Sequence, residues 1–290
     1  MKPAAFAYHR PASVDEAVDM LADGQAKVLA GGQSLIPLMS MRLAAPASLV
    51  DINHINGLAD IVVTETSVRI GALTRHRALE LDDGAFAANP LLRRAVSHVA
   101  HATIRNRGTT VGSLVHADPA AEMPAVLALL DGTVRAVNKS GERSIIAADF
   151  FAGPMESALA PDELAVSATF ANPPTGAGSS WVELSRRQGD YAMVGVGAVV
   201  VLDPSGHVSS ARVALISVGP TPEVVDVSAA CAGASYDRVD WTDAGDLVES
   251  RIDPEGDIHA TAEYRRHLAI TLSRRALAAA LADSAARVAA

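Results

Sequence analysis

Lys27-Val28-Leu29-Ala30-Gly31-Gly32-Gln33-Ser34-Leu35-Ile36-Pro37 is the stretch on which the reading of this chain turns. Lys27 to Ala30 read as a short buried strand that runs straight into two glycines, and Ile36 to Leu43 then has the pattern of a helix. Glycines at a strand-to-helix junction let the backbone adopt positive φ and keep side chains away from an approaching anion. The freed N–H groups and the helix start attract a phosphate. An ordinary tight turn capped by Ser34 accounts for the same residues, and both readings stand at this point.

Upstream, Ser13-Val14-Asp15-Glu16 has capping-box spacing, so a helix is expected from Val14 to Ala22, stopping at Gly24. Ser48 to Ile52 reads as another strand. The first 56 residues therefore form a compact α/β unit. Downstream, two β-branched runs between Asp60 and Leu73 flank Thr66-Ser67 as a hairpin. Helices are expected over His76–Leu81 and Leu91–His101. A polar, glycine-rich segment follows, Arg105-Asn106-Arg107-Gly108-Thr109-Thr110-Val111-Gly112-Ser113, which is expected to be non-helical. Next comes a helix from Pro119 to Leu130. Strands at Val134–Val137, Arg143–Ile146 and Leu164–Phe170 complete a second, α+β unit over residues 57–175.

Asn172-Pro173-Pro174-Thr175-Gly176-Ala177-Gly178-Ser179-Ser180 is the clearest boundary signal. Beyond it, Tyr191–Leu202 and Ala211–Val218 are expected strands joined by Asp203-Pro204-Ser205-Gly206, which has turn chemistry. Residues 262–289 are alanine-rich with helical period, carrying Leu268, Leu272, Ala276 and Ala280 on one face. Residues 176–290 thus read as a third, α+β unit.

The segment Thr109 to Pro119 repeats the physical idea of the first loop, with small residues, a glycine and hydroxyls before a helix. A cofactor with two phosphates fits between two such loops. The competing reading is a capped loop with Asp118 as N-cap. Neither loop matches GxGxxG or GxxxxGK[ST], which disfavours a Rossmann fold and a P-loop. A third segment, Ser185-Arg186-Arg187-Gln188-Gly189-Asp190-Tyr191, opens the last unit with a charged loop and one aromatic. Aromatics make up only 4% of the chain, so Tyr191 is singled out as a partner for a planar ring; a plain rim tyrosine is the alternative.

The remaining composition excludes several classes. Net charge is −9 with no long basic block, which argues against nucleic acid. The single cysteine, Cys231, rules out an intramolecular disulfide, a four-cysteine cluster or a CxxC pair. His98, His101 and His116 lack metal-site spacing, so no metal is expected. No signal-peptide h-region and no 18-residue apolar stretch is present, and a cytoplasmic chain without a membrane span is expected.

Together, Lys27–Leu35 and Ile104-Arg105-Asn106-Arg107-Gly108-Thr109-Thr110-Val111-Gly112-Ser113-Leu114 resemble the FAD-binding medium subunits of molybdenum hydroxylases, the group of the carbon monoxide dehydrogenase medium chain and the xanthine dehydrogenase flavin part. The resemblance spans the chain and includes the Ser-Arg-Arg-x-x-Asp-Tyr-Ala loop. It implies an α+β protein, with a two-subdomain FAD-binding fold of the PCMH (vanillyl-alcohol oxidase-like) type plus a C-terminal α+β domain closing over the flavin. It implies FAD held by Lys27, Leu29, Ala30, Gly31, Gly32, Gln33, Ser34 and Leu35 of the first loop and by Ile104, Gly108, Thr109, Thr110, Gly112 and Ser113 of the second, with the pyrophosphate on both. Ser113, Ala117, Asp118, Ala121 and Glu122 are expected along the adenosine half, and Leu164, Asp190 and Tyr191 beside the isoalloxazine. The sequence departs from many relatives at Gln33, where they have His, and at Val111, where they have Gly.

The same resemblance implies an electron-transfer role. Substrate is hydroxylated in a large molybdopterin-binding subunit, and electrons cross a small subunit with two [2Fe–2S] clusters. The FAD then passes them to an external acceptor. No residue of this chain is expected to act as a catalytic acid or base. A self-sufficient FAD oxidase or reductase of related fold is the alternative, and a non-enzymatic nucleotide-binding module is a second one.

Overall fold

The computed structural model describes residues 1–288; positions 289 and 290, where the expected terminal helix was to end, lie outside the described residues. Three larger sheets stack along the chain with helices between them, beside a two-stranded ribbon of Phe151–Gly153 and Glu156–Ser157.

The first sheet is parallel, with Ser48–Asp51 central between Ala7–His9 and Ala26–Leu29. The crossover helix Val14–Leu21 starts at Ser13, whose hydroxyl accepts from the Glu16 amide, while Glu16 reaches back to the Ala12 amide at 2.7 Å. Its apolar face, Ala17, Val18 and Leu21, packs with Val50 and Ile52. That cluster continues into Leu73 and into Leu164 and Val166 of the next sheet. The first unit is therefore seated on the second by a shared core.

The second sheet has five antiparallel strands in the order Ile61–Val63, Ser67–Gly71, Leu164–Ala171, Thr133–Asn138, Gly141–Ile146. Helices Pro90–Val96 and Glu122–Leu129 cover it. Glu122–Leu129 is apolar on nearly every side after its first residue, because it lies between this sheet and the third. The third sheet, Gly178–Ser185, Ala192–Leu202, Val208–Ile216 and Glu223–Asp226, is antiparallel. Its other face carries the helix Ala262–Val288, which buries the expected Leu268, Leu272, Ala276 and Ala280. Alanines there let the backbones approach closely: a Cβ on Gly178 would fall on the helix backbone at Ala280 and Ser284. Arg94 of the second unit clasps Asp283 of this helix with two bonds of 2.8 and 2.9 Å.

Several expected boundaries move. The helix expected over Leu91–His101 runs only from Pro90 to Val96, and His101 instead precedes a separate turn of helix, Ala102–Arg105. The segment expected to be non-helical through Ser113 turns into a helix at Thr110 that reaches His116. Thr109 caps it by accepting from the Gly112 amide at 3.1 Å, a local bond that outweighs the low helix propensity of Thr110, Val111 and Gly112. The next helix starts at Glu122, not Pro119, because Ala117 takes a left-handed conformation (φ 51°) to close the preceding one. Asp118 is not its N-cap; the carboxylate accepts from the Ala120 amide in a turn. The boundary segment is shorter than read, since the strand begins at Gly178. The edge strands Ala7–His9 and Glu223–Asp226 and the helix Thr242–Glu249 are additional elements.

Candidate functional site

A cavity of about 730 Å³ lies where the three units meet. It falls in the range typical of sites for organic cofactors. The strand Ala26–Leu29 delivers the first loop to it. Gly32 there has φ +72°, a conformation that any Cβ makes costly. Among the described residues, the amides of Gly32, Gln33, Ser34 and Leu35 donate to no protein acceptor. Ser34 makes no capping bond with its hydroxyl, so the capped-turn reading of this loop is not what the structure adopts. Consecutive N–H groups left free at the wall of a cavity make a nest for an anion.

The second segment is built differently. The Thr110 amide donates to the Thr74 carbonyl, that of Gly112 to the Thr109 hydroxyl and that of Ser113 to the Thr109 carbonyl. Most of its donors are thus used up, by Thr74 and by the Thr109 cap. Its glycines serve packing: a Cβ on Gly108 would press on His76 Cδ2 at 2.9 Å, and one on Gly112 on Thr109 Oγ1 at 2.5 Å. Gly31 has the same role across the loops, where its Cβ would meet the Arg107 carbonyl at 2.5 Å.

Of the residues expected at the site, all but Thr110 and Ala117 line this cavity. Thr110 is fully buried, with its hydroxyl 3.2 Å from His76 Nδ1. Ala117 is buried at the left-handed helix end. Leu164 packs with Ile52 and Ala72 in the first unit's core. Tyr191, 71% exposed at the mouth, has its hydroxyl pKa raised by lost hydration and then by the carboxylates of Asp118 and Glu122. Leu164 and Tyr191 both line the cavity, and Tyr191 lies near the carboxylates of Asp118 and Glu122.

That end is acidic. Glu122 is buried at the first turn of its helix, and burial, then Glu183, push its carboxyl up to about 8. Glu183 itself rises to about 7 through burial, although Trp181 Nε1 donates to it at 3.1 Å. His76 in the cavity wall is held down to about 4 by burial and then by Arg105, so its imidazole is neutral at pH 7. His76, Met155, Leu159 and Glu163 also line the cavity and were not read from the sequence. Glu183 carried a signal, a lone acid in the apolar run Trp181–Leu184.

Residues 4–170 match the family model described as the FAD binding domain in molybdopterin dehydrogenase. The chain belongs to this flavoprotein family. Residues 179–280 match the CO dehydrogenase flavoprotein C-terminal domain. Among relatives, subunit alpha of the 6-hydroxypseudooxynicotine dehydrogenase complex of Paenarthrobacter nicotinovorans is 39% identical over 97% of this chain and 96% of its own length. The nicotine 6-hydroxylase medium subunit of the same organism is 36% identical, over 96% of this chain and 98% of that subunit. In structure, a carbon monoxide dehydrogenase chain of Hydrogenophaga pseudoflava superposes with a TM-score of 0.93 at 34% identity, over 98% of this chain and 99% of that one. The flavoprotein's cofactor is FAD, and its medium-subunit α+β fold is that of these neighbours. The cavity fits the cofactor on its own terms: a row of free amides for a diphosphate, apolar walls, and an acidic end.

Proposed function

We propose that the chain holds one FAD non-covalently in this cavity and relays electrons within a larger hydroxylase complex in the cytoplasm. The observation that carries the reading is the row of unpaired amides at Gly32–Leu35, in a cavity lined by nearly every residue expected to touch the cofactor. Those amides would hold the pyrophosphate, and Asp118, Glu122, Leu164, Asp190 and Tyr191 of the same cavity would hold the two ends of the cofactor. The chain divides for this purpose at about residues 56 and 175, as the sequence suggests.

When bound, the flavin supplies one-electron acceptance and two-electron release. The chain's own residues bind and orient it, and the buried Glu122 presents a neutral carboxyl to the cavity near pH 7. The partners in this proposal are a large molybdopterin-binding subunit, where substrate is hydroxylated, and a small subunit with two [2Fe–2S] clusters, with an external acceptor last. A chain with one cysteine needs such partners for iron–sulfur chemistry. In the test, the lone chain and the reconstituted three-subunit complex are each mixed with the complex's substrate and an artificial acceptor. Turnover only in the complex is expected. Turnover by the lone chain means a self-sufficient oxidase.

A further inference from the structure

Behind the cavity wall, a chain of side chains ties the two loops together. Asn53 sits just past the central strand Ser48–Asp51. Its amide nitrogen Nδ2 donates to the Ala30 carbonyl at 2.8 Å, to Leu29 O at 3.4 Å, and to Asp51 Oδ1 at 2.6 Å. Its backbone N–H also donates to Asp51 Oδ1, at 2.9 Å. Tyr8 on the edge strand donates its hydroxyl to the other Asp51 oxygen. Asn53 Oδ1 then accepts from Arg75 Nη2 at 2.6 Å, and Arg75 Nη1 donates to the Arg107 carbonyl at 2.5 Å. The backbone of Arg75 pairs with Thr109 in an isolated antiparallel bridge. Arg75 thus grips the second segment twice, while Asn53 grips the first. Neither side chain lines the cavity.

The peptide unit is planar and trans, so a carbonyl and the following N–H point in opposite directions. By drawing the Ala30 carbonyl backwards, Asn53 turns the Gly31 N–H the other way and fixes the start of the loop whose next amides are free. The Arg75 bond sets how far this loop stands from Arg107–Gly108, where Gly31 already touches backbone. We infer that Asn53 and Arg75 form a brace that aims the first loop's N–H groups and sets the gap between the two loops, making them positioning residues for the FAD diphosphate without touching it. The brace rests on the reading of this cavity as the FAD site.

The test uses the full-length chain in its complex, stripped of flavin and titrated with FAD, and separately with ADP, which shares the diphosphate. Arg75→Met, Asn53→Ala, the double variant and Arg75→Lys are compared with the unmutated chain. Loss of one charge-assisted hydrogen bond corresponds to about tenfold or more in Kd. Each single variant is expected to weaken FAD and ADP together by that factor. The double variant is expected to be no weaker than the worse single, since the two residues act as one strut. Arg75→Lys keeps the charge but cannot fork between Asn53 and Arg107, so it is expected to lose affinity as well. Unchanged affinity in folded variants, full rescue by Arg75→Lys, or losses that multiply in the double variant overturn the brace. Should the Met and Ala variants not fold, Arg75→Lys alone decides by the same criterion. Failure of the underlying site reading is recognised separately, because then the unmutated chain takes up no FAD.

Discussion

Replacing Glu122 with Gln exchanges an ionisable group for a neutral one of the same size at a buried point of the cavity wall. In the folded chain the carboxyl is pushed up to about 8 by burial and then by Glu183. In the unfolded chain it titrates near its ordinary value of 4.5. Between those values the folded state holds a proton that the unfolded state has released, so stability falls as pH rises through this window and levels off above it. A full shift of this size amounts to roughly 5 kcal/mol at about 1.4 kcal/mol per tenfold change in proton affinity. Since part of it is shared with Glu183, the expected gain for Glu122→Gln is about 2–3 kcal/mol. That gain should be present at about pH 8.5 and absent at about pH 4.5, where both side chains are neutral. Urea unfolding of the flavin-free chain at the two pH values reads it as a shift in midpoint. An equal shift at both values, or a loss of stability at high pH, refutes the account of Glu122 as a buried neutral acid.

Gly32→Val should abolish FAD retention while the chain stays folded. At φ +72° its Cβ would press on Leu29 Cδ1 at 3.1 Å and Ile36 Cγ1 at 3.2 Å, so the loop must change shape and carry its amides with it. Full flavin occupancy in the purified variant contradicts this. Tyr191→Ala should keep FAD, because the amide row is untouched, but alter the flavin's visible spectrum and its reoxidation rate. Stopped-flow reoxidation of the chemically reduced complex reads this, and identical spectra and rates would make Tyr191 an ordinary rim residue.

Much of the fold was legible where local chemistry agreed with tertiary demand. The Ser13–Glu16 box and the alanine face of the last helix each had one physical meaning, and the structure uses it; of the two readings open for the glycines after Ala26–Leu29, the Ser34-capped turn is not the one adopted. The second loop was misread for a definite reason. Thr-Thr-Val-Gly-Ser has poor intrinsic helix propensity, but the Thr109 cap and the packing of Val111 and Leu114 into the second unit's core carry it into a helix. Its glycines line the cavity and are also packed tightly against His76 and Thr109. The short edge strands, Ala7–His9 among them, left too weak a pattern to find. The site's membership was largely readable because its residues cluster along two segments. Leu164 and Tyr191 reach the same cavity from separate units, so their meeting depends on how the sheets stack. Asn53 and Arg75 gave no signal at all, since polar residues in connecting segments are the commonest thing in any sequence.

The central claim is that this chain's cavity carries one FAD held without a covalent bond. The most direct measurement is quantification of the flavin released when the complex purified with its partner subunits is denatured in acid and the chains are separated by mass. The account predicts one equivalent of FAD per copy of this chain, free in the supernatant, with the chain itself at its unmodified mass. Release of FMN alone, flavin remaining on the peptide, or no flavin in an intact complex would contradict it.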